Sequence, residues 1–449
     1  MEDEILSLLS DDNFLERSID LLAKKLECTS SEKFIQLVKL MNNLEESGKI
    51  VRNKYNHYYL PNQFGMVLGT LTINKKGFGF VAVDGQEKDI FISPDNLKDA
   101  FNKDVVLVEI NPIGDPEKPE GKILRVIKRG QTKLVGEIKK GKREYYVEAD
   151  DSKFNKPIYV DHAHLHGAVV GHKVLVEIKV YKPVLKGNVE KILGHKNDPG
   201  VDILSIVYDH DAPVEFPKNV YDQIEDIPDT LDGIDISDRV DLRNEVVVTI
   251  DGDDAKDLDD AISLKKLDNG HYQLGVHIAD VSYYVTESSP LDKEAVKRGT
   301  SIYLVDRVIP MLPHKLSNGI CSLNPNTDRY TISCIMEIDK NGEVVNHEII
   351  PSVIHSSYRM TYNNVNAILD GDFPLQQKYE KVVPLFFLMQ ELATLLRSKR
   401  DERGAIDFDV NEAKVLVDEK GHPTDVVLRT RGASDKIIEE FMLKANETV

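Results

Sequence analysis

Residues 251–260 read DGDDAKDLDD, six aspartates in ten positions, and that density constrains the fold more than any other feature of the chain. Like charges so close repel, so the segment must lie where water or a cation answers it. It leaves EVVVTI (245–250), an unbroken run that reads as a buried strand, and enters AISLKKL, which resumes as another. Asp251, Asp257, Asp259 and Asp260 are therefore expected on a loop and a strand start, held by rigid elements on both sides. A calcium EF-hand loop would want glycine at its sixth position and a closing glutamate; Lys256 stands sixth and strands flank the run, so that reading fails. Magnesium suits it better, because this hard ion takes a few carboxylates and leaves coordination for water and phosphate oxygens. Two such ions about 4 Å apart can flank an in-line displacement at phosphorus. A hydrated acidic turn is the competing reading.

The formal net charge of −19 argues against a nucleic-acid binder only until it is divided. Residues 1–200 hold 31 Lys and Arg against 30 Asp and Glu, and within them residues 101–200 hold 19 against 14. Residues 201–449 hold 26 against 46. A polyanion responds to local potential, so the mildly basic middle can receive one while the acidic half calls for metal ions. Cys28, Cys321 and Cys334 have no paired spacing, which argues against a disulfide scaffold or zinc knuckle and suits a reducing cytosol. The start MEDEILSLLSDDNF lacks the basic head and apolar run of a signal peptide, and no stretch approaches the roughly 20 apolar residues of a spanning helix. A cytoplasmic protein with no membrane contact is expected.

Four sections and a linker are legible. Residues 2–61 combine a helix carrying Phe34, Leu37, Met41 and Leu44 on one face with the alternating KIVRNKYNHYYL. Thr29 and Glu32 have capping-box spacing ahead of that helix, and Gly48 is a plausible stop. The pattern is that of a winged helix, with a small helical adaptor as the alternative. Residues 65–130 contain KKGFGFVAVDGQEKDIFIS. Phe78 and Phe80, two apart, project from one face of a strand, with Phe91 returning beside them and Gly77 and Gly79 keeping the other face low. Lys75 and Lys76 edge this row, and stacking rings rimmed by cations are what a single strand of nucleic acid requires. A barrel core filled by phenylalanines is the bland alternative.

Residues 131–198 repeat the plan weakly and read as a second barrel. Tyr145 and Tyr146 are its candidate platform, and Lys139, Lys140, Lys142 and Arg143 its candidate phosphate contacts, against an ordinary solvated turn. Residues 199–235 are rich in proline and acids and read as a linker. Residues 236–449 hold the aspartates.

KGFGFV with DIFI resembles the paired aromatic motifs of cold-shock-type OB folds, with Ser93 where many of them carry histidine. TIDGDDAKDLDDAI, the stretch RGTSIYLVDRVIPMLPHKLSNGICSLNPNTDRYTIS (298–333) and GAIDFD (404–409) together resemble the catalytic domain of the ribonuclease II family. The winged-helix-like section ahead of two barrels matches the branch of that family that works through structured RNA. The resemblance, which runs from about residue 2 to 449, implies a multidomain chain. Its parts are a winged-helix-like α+β domain, two all-β OB/cold-shock-like barrels and the N-terminal part of an α+β catalytic domain. It implies a processive, magnesium-dependent 3′-to-5′ exoribonuclease releasing 5′-mononucleotides. The expected partners are single-stranded and structured RNA, ribosome-associated RNA among them, and the expected state is a monomer. A non-catalytic RNA-binding or RNA-chaperone protein is the rival from a different class.

By the same resemblance Asp251, Asp257, Asp259 and Asp260 match the metal-site aspartates, Asp253 and Asp254 have no role, and Tyr303 matches an aromatic that packs on the terminal nucleotide and holds the scissile phosphate. Tyr362 matches a second base contact, and Glu439 or Glu440 a contact to the last nucleotide. The family's catalytic domain continues past a segment like DKIIEEFMLKANE into an arginine-bearing stretch. The 449-residue chain is therefore expected to be a piece of a longer enzyme, binding RNA but cutting it slowly.

Overall fold

The computed structural model describes residues 1–449 apart from 12, 116, 143, 155, 407–411 and 420. The chain divides into two compact units, residues 1–212 and 213–449.

The first unit opens with helices α1 (Glu2–Ser10), α2 (Ile19–Lys25) and α3 (Ser31–Glu46), followed by a hairpin of β1 (Val51–Arg52) and β2 (Tyr58–Tyr59). Leu37, Met41 and Leu44 of α3 are buried with Ile5, Leu9 and Leu22, and Phe34 packs at the margin, as their spacing requires. The cap lies one residue beyond the expected one: Ser30, not Thr29, accepts the Lys33 N–H.

Two closed five-stranded barrels follow. The first contains β3 (Met66–Ile73), β4 (Gly79–Ala82), β5 (Ile90–Ile92), β6 (Val105–Ile110) and β7 (Glu120–Lys128), in the order β3-β4-β5-β7-β6. The second contains β8 (Lys133–Lys140), β9 (Tyr145–Ala149), β10 (Ile158–Val160), β11 (His172–Val180) and β12 (Lys186–His195) in the same relative order. Inward residues such as Leu71, Val81 and Ile90, or Val147, Ile158 and Val174, alternate with outward ones and fill each core. Gly79 faces inward, where a Cβ would come within 2.7 Å of Leu71 Cδ1; Gly77 is no strand residue but a turn at φ +88°.

The segment read as a linker is more structured than expected. Helix α4 (Val201–Asp209) lays Val201 and Leu204 on Val135, Leu175 and Leu193 of the second barrel. Helix α5 (Lys218–Glu225) buries Val220 and Ile224 in the second unit. Each carries too short an apolar stripe to stand out among its prolines and acids.

The second unit is built on a six-stranded sheet: β13 (Val240–Asp241), β14 (Val247–Asp251), β15 (Asp260–Lys266), β16 (Tyr272–Ala279), β19 (Asp328–Ile338) and β20 (Val344–Thr361). Between β16 and β19 come α6 (Val281–Tyr284), α7 (Pro290–Arg298) and the hairpin β17 (Ile302–Tyr303) and β18 (Val308–Ile309). The 18-residue β20 pairs antiparallel with β19, then continues parallel to β14, so one strand closes the sheet on itself. Helices α8 (Tyr362–Leu369), α9 (Phe373–Lys378), α10 (Val383–Glu402) and α11 (Ala433–Thr448) follow, interrupted by the hairpin β21 (Glu412–Val417) and β22 (Pro423–Arg429). Phe386, Met389, Ile437 and Phe441 of α10 and α11 cover Val248, Ile250, Ile262 and Leu274 on one face of the sheet. The other face carries Val247, Ala261 and Ala279 against α5 and α7. It also carries a buried polar row in which His277 hydrogen-bonds Ser263 at 3.0 Å and Ser333 at 2.6 Å, and Ser333 meets Ser352 at 2.6 Å.

Candidate active site and RNA-binding face

β14 delivers Asp251 to the carboxyl end of a parallel strand pair, opposite Thr361 of β20, where α8 begins. Residues 252–259 form the loop, and Asp260 starts β15. The acidic run therefore lies between two strands, as its flanking residues require.

The loop is pinned along its length. Arg359 Nη2 donates to the carbonyls of Ala255 at 2.5 Å and Asp253 at 3.4 Å. Asn363 Nδ2 donates to Asp253 at 2.5 Å, and Lys414 pairs with Asp254 at 3.1 Å, which gives the two aspartates left without a role a tethering one. Ser322 Oγ accepts the Leu258 N–H and donates to the Lys256 carbonyl, both at 3.1 Å. Tyr303 is 65% exposed, and its hydroxyl donates to Asp257 Oδ2 at 2.5 Å. That exposure rules out a core role for Tyr303, and the hairpin brings it to the aspartates across 46 residues of sequence.

The electrostatics follow from crowding. Burial, then Asp260, pushes the Asp251 carboxyl up to about 7, against the pull of Arg359. Burial, then Asp257 and Asp260, lifts Asp259 to about 6, and burial raises Asp260. The hydrogen bond to Asp257, then burial, raises the Tyr303 phenol to about 12. Asp251 Oδ2 is buried without a hydrogen-bond partner. These are hard oxygen donors with unmet demand for positive charge, the donor chemistry magnesium takes. Among the described residues no three ligand side chains already converge on one point at coordination distance.

Phe78, Phe80 and Phe91 form a triad on the outside of the first barrel, with ring centroids 5.6–5.8 Å apart and Phe80 directly opposite Phe91. None belongs to the barrel core; Phe80 is 38% exposed, and Lys75 and Lys76 are exposed beside them. The second barrel differs from its expected form. Tyr145 packs against the core, while Tyr146 lies opposite Tyr159, a residue the sequence did not single out, with centroids 6.3 Å apart. Lys139 pairs with Glu148 and Lys140 lies 5.4 Å from the Tyr145 ring centroid, whereas Arg143 lies outside the described residues.

Three domain families match in chain order: the Ribonuclease B OB domain over residues 69–126, the Cold shock domain over 146–217 and the RNB domain over 239–449. The chain is 42% identical over 402 residues to Ribonuclease R 1 of Lactococcus lactis, covering 86% of this chain and 49% of that one. It is 42% identical over 448 residues to Ribonuclease R of Thermotoga maritima, covering 98% of this chain and 62% of that one. Over most of its length the chain is similar to ribonuclease R, with the three domains in order. RNase R of Mycoplasma genitalium in its apo form superposes with a TM-score of 0.75 at 30% identity, over 85% of this chain and 61% of that one. That enzyme also matches in complex with ribose-methylated single-stranded RNA, at a TM-score of 0.75, and with double-stranded RNA, at 0.68. The chain spans about half to three-fifths of the length of these relatives.

Within this ribonuclease R fold the remaining candidates fall elsewhere. Tyr362 opens α8 half-buried against the hydrophobic core, next to the Thr361 that pairs with Asp251. Glu440 is buried and ion-paired with Arg400 at 2.6 Å, a helix-to-helix tie between α10 and α11 and not a free nucleotide contact; Glu439 shares Arg400 at 3.3 Å. Residues 407–409 of GAIDFD lie outside the described residues. Arg359, Asn363, Ser322 and Lys414 were not foreseen. Ser322 lies within a stretch that carried the family resemblance and Arg359 and Asn363 flank Tyr362, but nothing in their spacing marks them as partners of the loop.

Proposed function

We propose that this chain contributes the metal-binding aspartates and RNA-holding barrels of a magnesium-dependent 3′-to-5′ exoribonuclease that releases 5′-mononucleotides and accepts structured RNA. The observation that carries this reading is the pinned acidic loop: the Asp251, Asp259 and Asp260 carboxyls are raised by burial, and the first two also by neighbouring carboxylates, with Tyr303 on Asp257 at the same strand ends. Asp251, Asp257, Asp259 and Asp260 would hold the metal. When bound, magnesium supplies charge neutralisation at the scissile phosphate, activation of water and stabilisation of the leaving oxygen.

The chain's own residues do the positioning. The exposed Tyr303 ring offers a face for the terminal base while its hydroxyl steadies Asp257, so one side chain links nucleotide placement to the carboxylates. The Phe78, Phe80 and Phe91 face holds the upstream strand by stacking, which is indifferent to sequence and suits a processive enzyme.

The test is RNA labelled in its 3′-terminal nucleotide. Labelled mononucleotide should appear with Mg²⁺ and stop with a chelator. RNA that is bound but never shortened by this polypeptide, with the label also retained when the relatives' remaining segment is supplied, would transfer the reading to a non-catalytic RNA-binding protein.

A further inference from the structure

Ser322 lies 64 residues from Leu258 and 66 from Lys256, yet its buried hydroxyl bonds to both, accepting from the first and donating to the second. A hydroxyl has one proton to give, so using it on Lys256 while accepting from Leu258 fixes both peptide groups that flank Asp257. A third bond completes the clamp: the Leu323 N–H donates to the Leu258 carbonyl at 2.8 Å. Leu258 and Leu323 are both buried in the same core, so the loop is anchored where it dips inward. Ser322 is itself held, because Arg329 Nε donates to its carbonyl at 2.9 Å and Arg329 Nη2 to that of Gly319 at 3.2 Å.

We propose that Ser322 is a positioning residue for the metal site: its hydroxyl fixes the backbone on either side of Asp257, so that a divalent cation meets a preset carboxylate instead of having to order the loop. The inference rests on Asp257 as a metal ligand. Groups that orient a ligand without touching the ion commonly set affinity by about 10–100-fold. Ser322→Ala would leave the Leu258 N–H and the Lys256 carbonyl unpaired, freeing the loop to rotate Asp257 away.

The experiment is a Mn²⁺ titration of the full 449-residue chain followed by electron paramagnetic resonance, alongside binding of a 2′-O-methyl RNA. Ser322→Ala should weaken Mn²⁺ by about tenfold or more while RNA affinity stays within about twofold. Ser322→Thr, which keeps the hydroxyl, should recover most of the Mn²⁺ affinity. Ser352→Ala serves as the control, because it deletes an equally buried hydroxyl from the polar row on the sheet; it should bind Mn²⁺ like the parent. If Ser322→Ala does not fold, Ser322→Cys, a slightly larger side chain that still fills the site, weakens both bonds and carries the same comparison. Parent-like Mn²⁺ affinity in folded Ser322→Ala or Ser322→Cys overturns the clamp, as does equal weakening by Ser352→Ala. A parent chain that binds no Mn²⁺ instead overturns the metal reading on which the clamp rests.

Discussion

The aromatic face of the first barrel and the acidic edge of the large sheet differ in what each needs before it can act. Phe78, Phe80 and Phe91 sit at the surface of a packed barrel with exposed lysines beside them, so a strand can stack there with nothing else bound. The acidic edge is held in an unfavourable state, with Asp251 raised to about 7 and one of its oxygens unpartnered. It becomes comfortable only when positive charge arrives. On the proposed reading one surface is complete at folding and the other only with its metal.

Asp259→Asn should separate the two most sharply. It removes a negative ligand at nearly constant shape, so mononucleotide release should fall by about 10²–10³ or more, as when one transition-state stabilising group is lost, while RNA affinity stays within about twofold. A variant that loses RNA binding in equal measure would erase the distinction. Phe78→Ala with Phe80→Ala is the converse. Each stacked base contributes roughly 1–3 kcal/mol, so binding of a polypyrimidine RNA should weaken tenfold or more, with Mn²⁺ affinity unchanged. Unaltered RNA binding in the folded double variant would return the rings to a structural role.

Next in size is a pH effect confined to the acidic edge. Asp251 and Asp259 have folded-state values of about 7 and about 6, above the roughly 3.9 of an unfolded aspartate. The folded state thus binds more protons between pH 4 and 7, and this contribution to stability is lost as pH rises through that window. In chelator the melting temperature of the second unit should fall by a few degrees between pH 5 and pH 8. Mg²⁺ should restore it, because the ion binds the deprotonated carboxylates, and Asp251→Asn should flatten the dependence. A pH profile identical in parent and Asp251→Asn would show that the crowding carries no energetic weight.

The smallest expected effect belongs to the second barrel. It shares the strand order of the first, and Tyr146 and Tyr159 occupy the cross-strand position of Phe80 and Phe91. Yet it has two rings in place of three, and Lys139 is engaged by Glu148. Tyr146→Ala with Tyr159→Ala should weaken RNA binding about threefold at most, below the tenfold or more expected when two stacked bases are lost. A loss equal to that of the phenylalanine pair would make the barrels equivalent platforms. Topology sets where a face lies, and side chains decide what it does.

Properties that repeat along the chain were legible before folding. Period-two spacing put Phe78 and Phe80 on one side of a strand, helical spacing put Leu37, Met41 and Leu44 on one side of α3, and β-branched flanks placed the aspartates between strands. Each depends only on neighbours a few residues away, and local geometry fixes it. The tertiary structure alone decided which distant groups answer them. Tyr159 completes a platform with Tyr146, Glu440 is taken up by Arg400, and the loop is gripped by Ser322 and Arg359, 64 and 104 residues from the groups they hold. Such partners depend on strand register and on one long strand, β20, pairing with β19 and β14 in turn. A shift of one residue in that register would turn every side chain to the other face, so no local pattern can specify them.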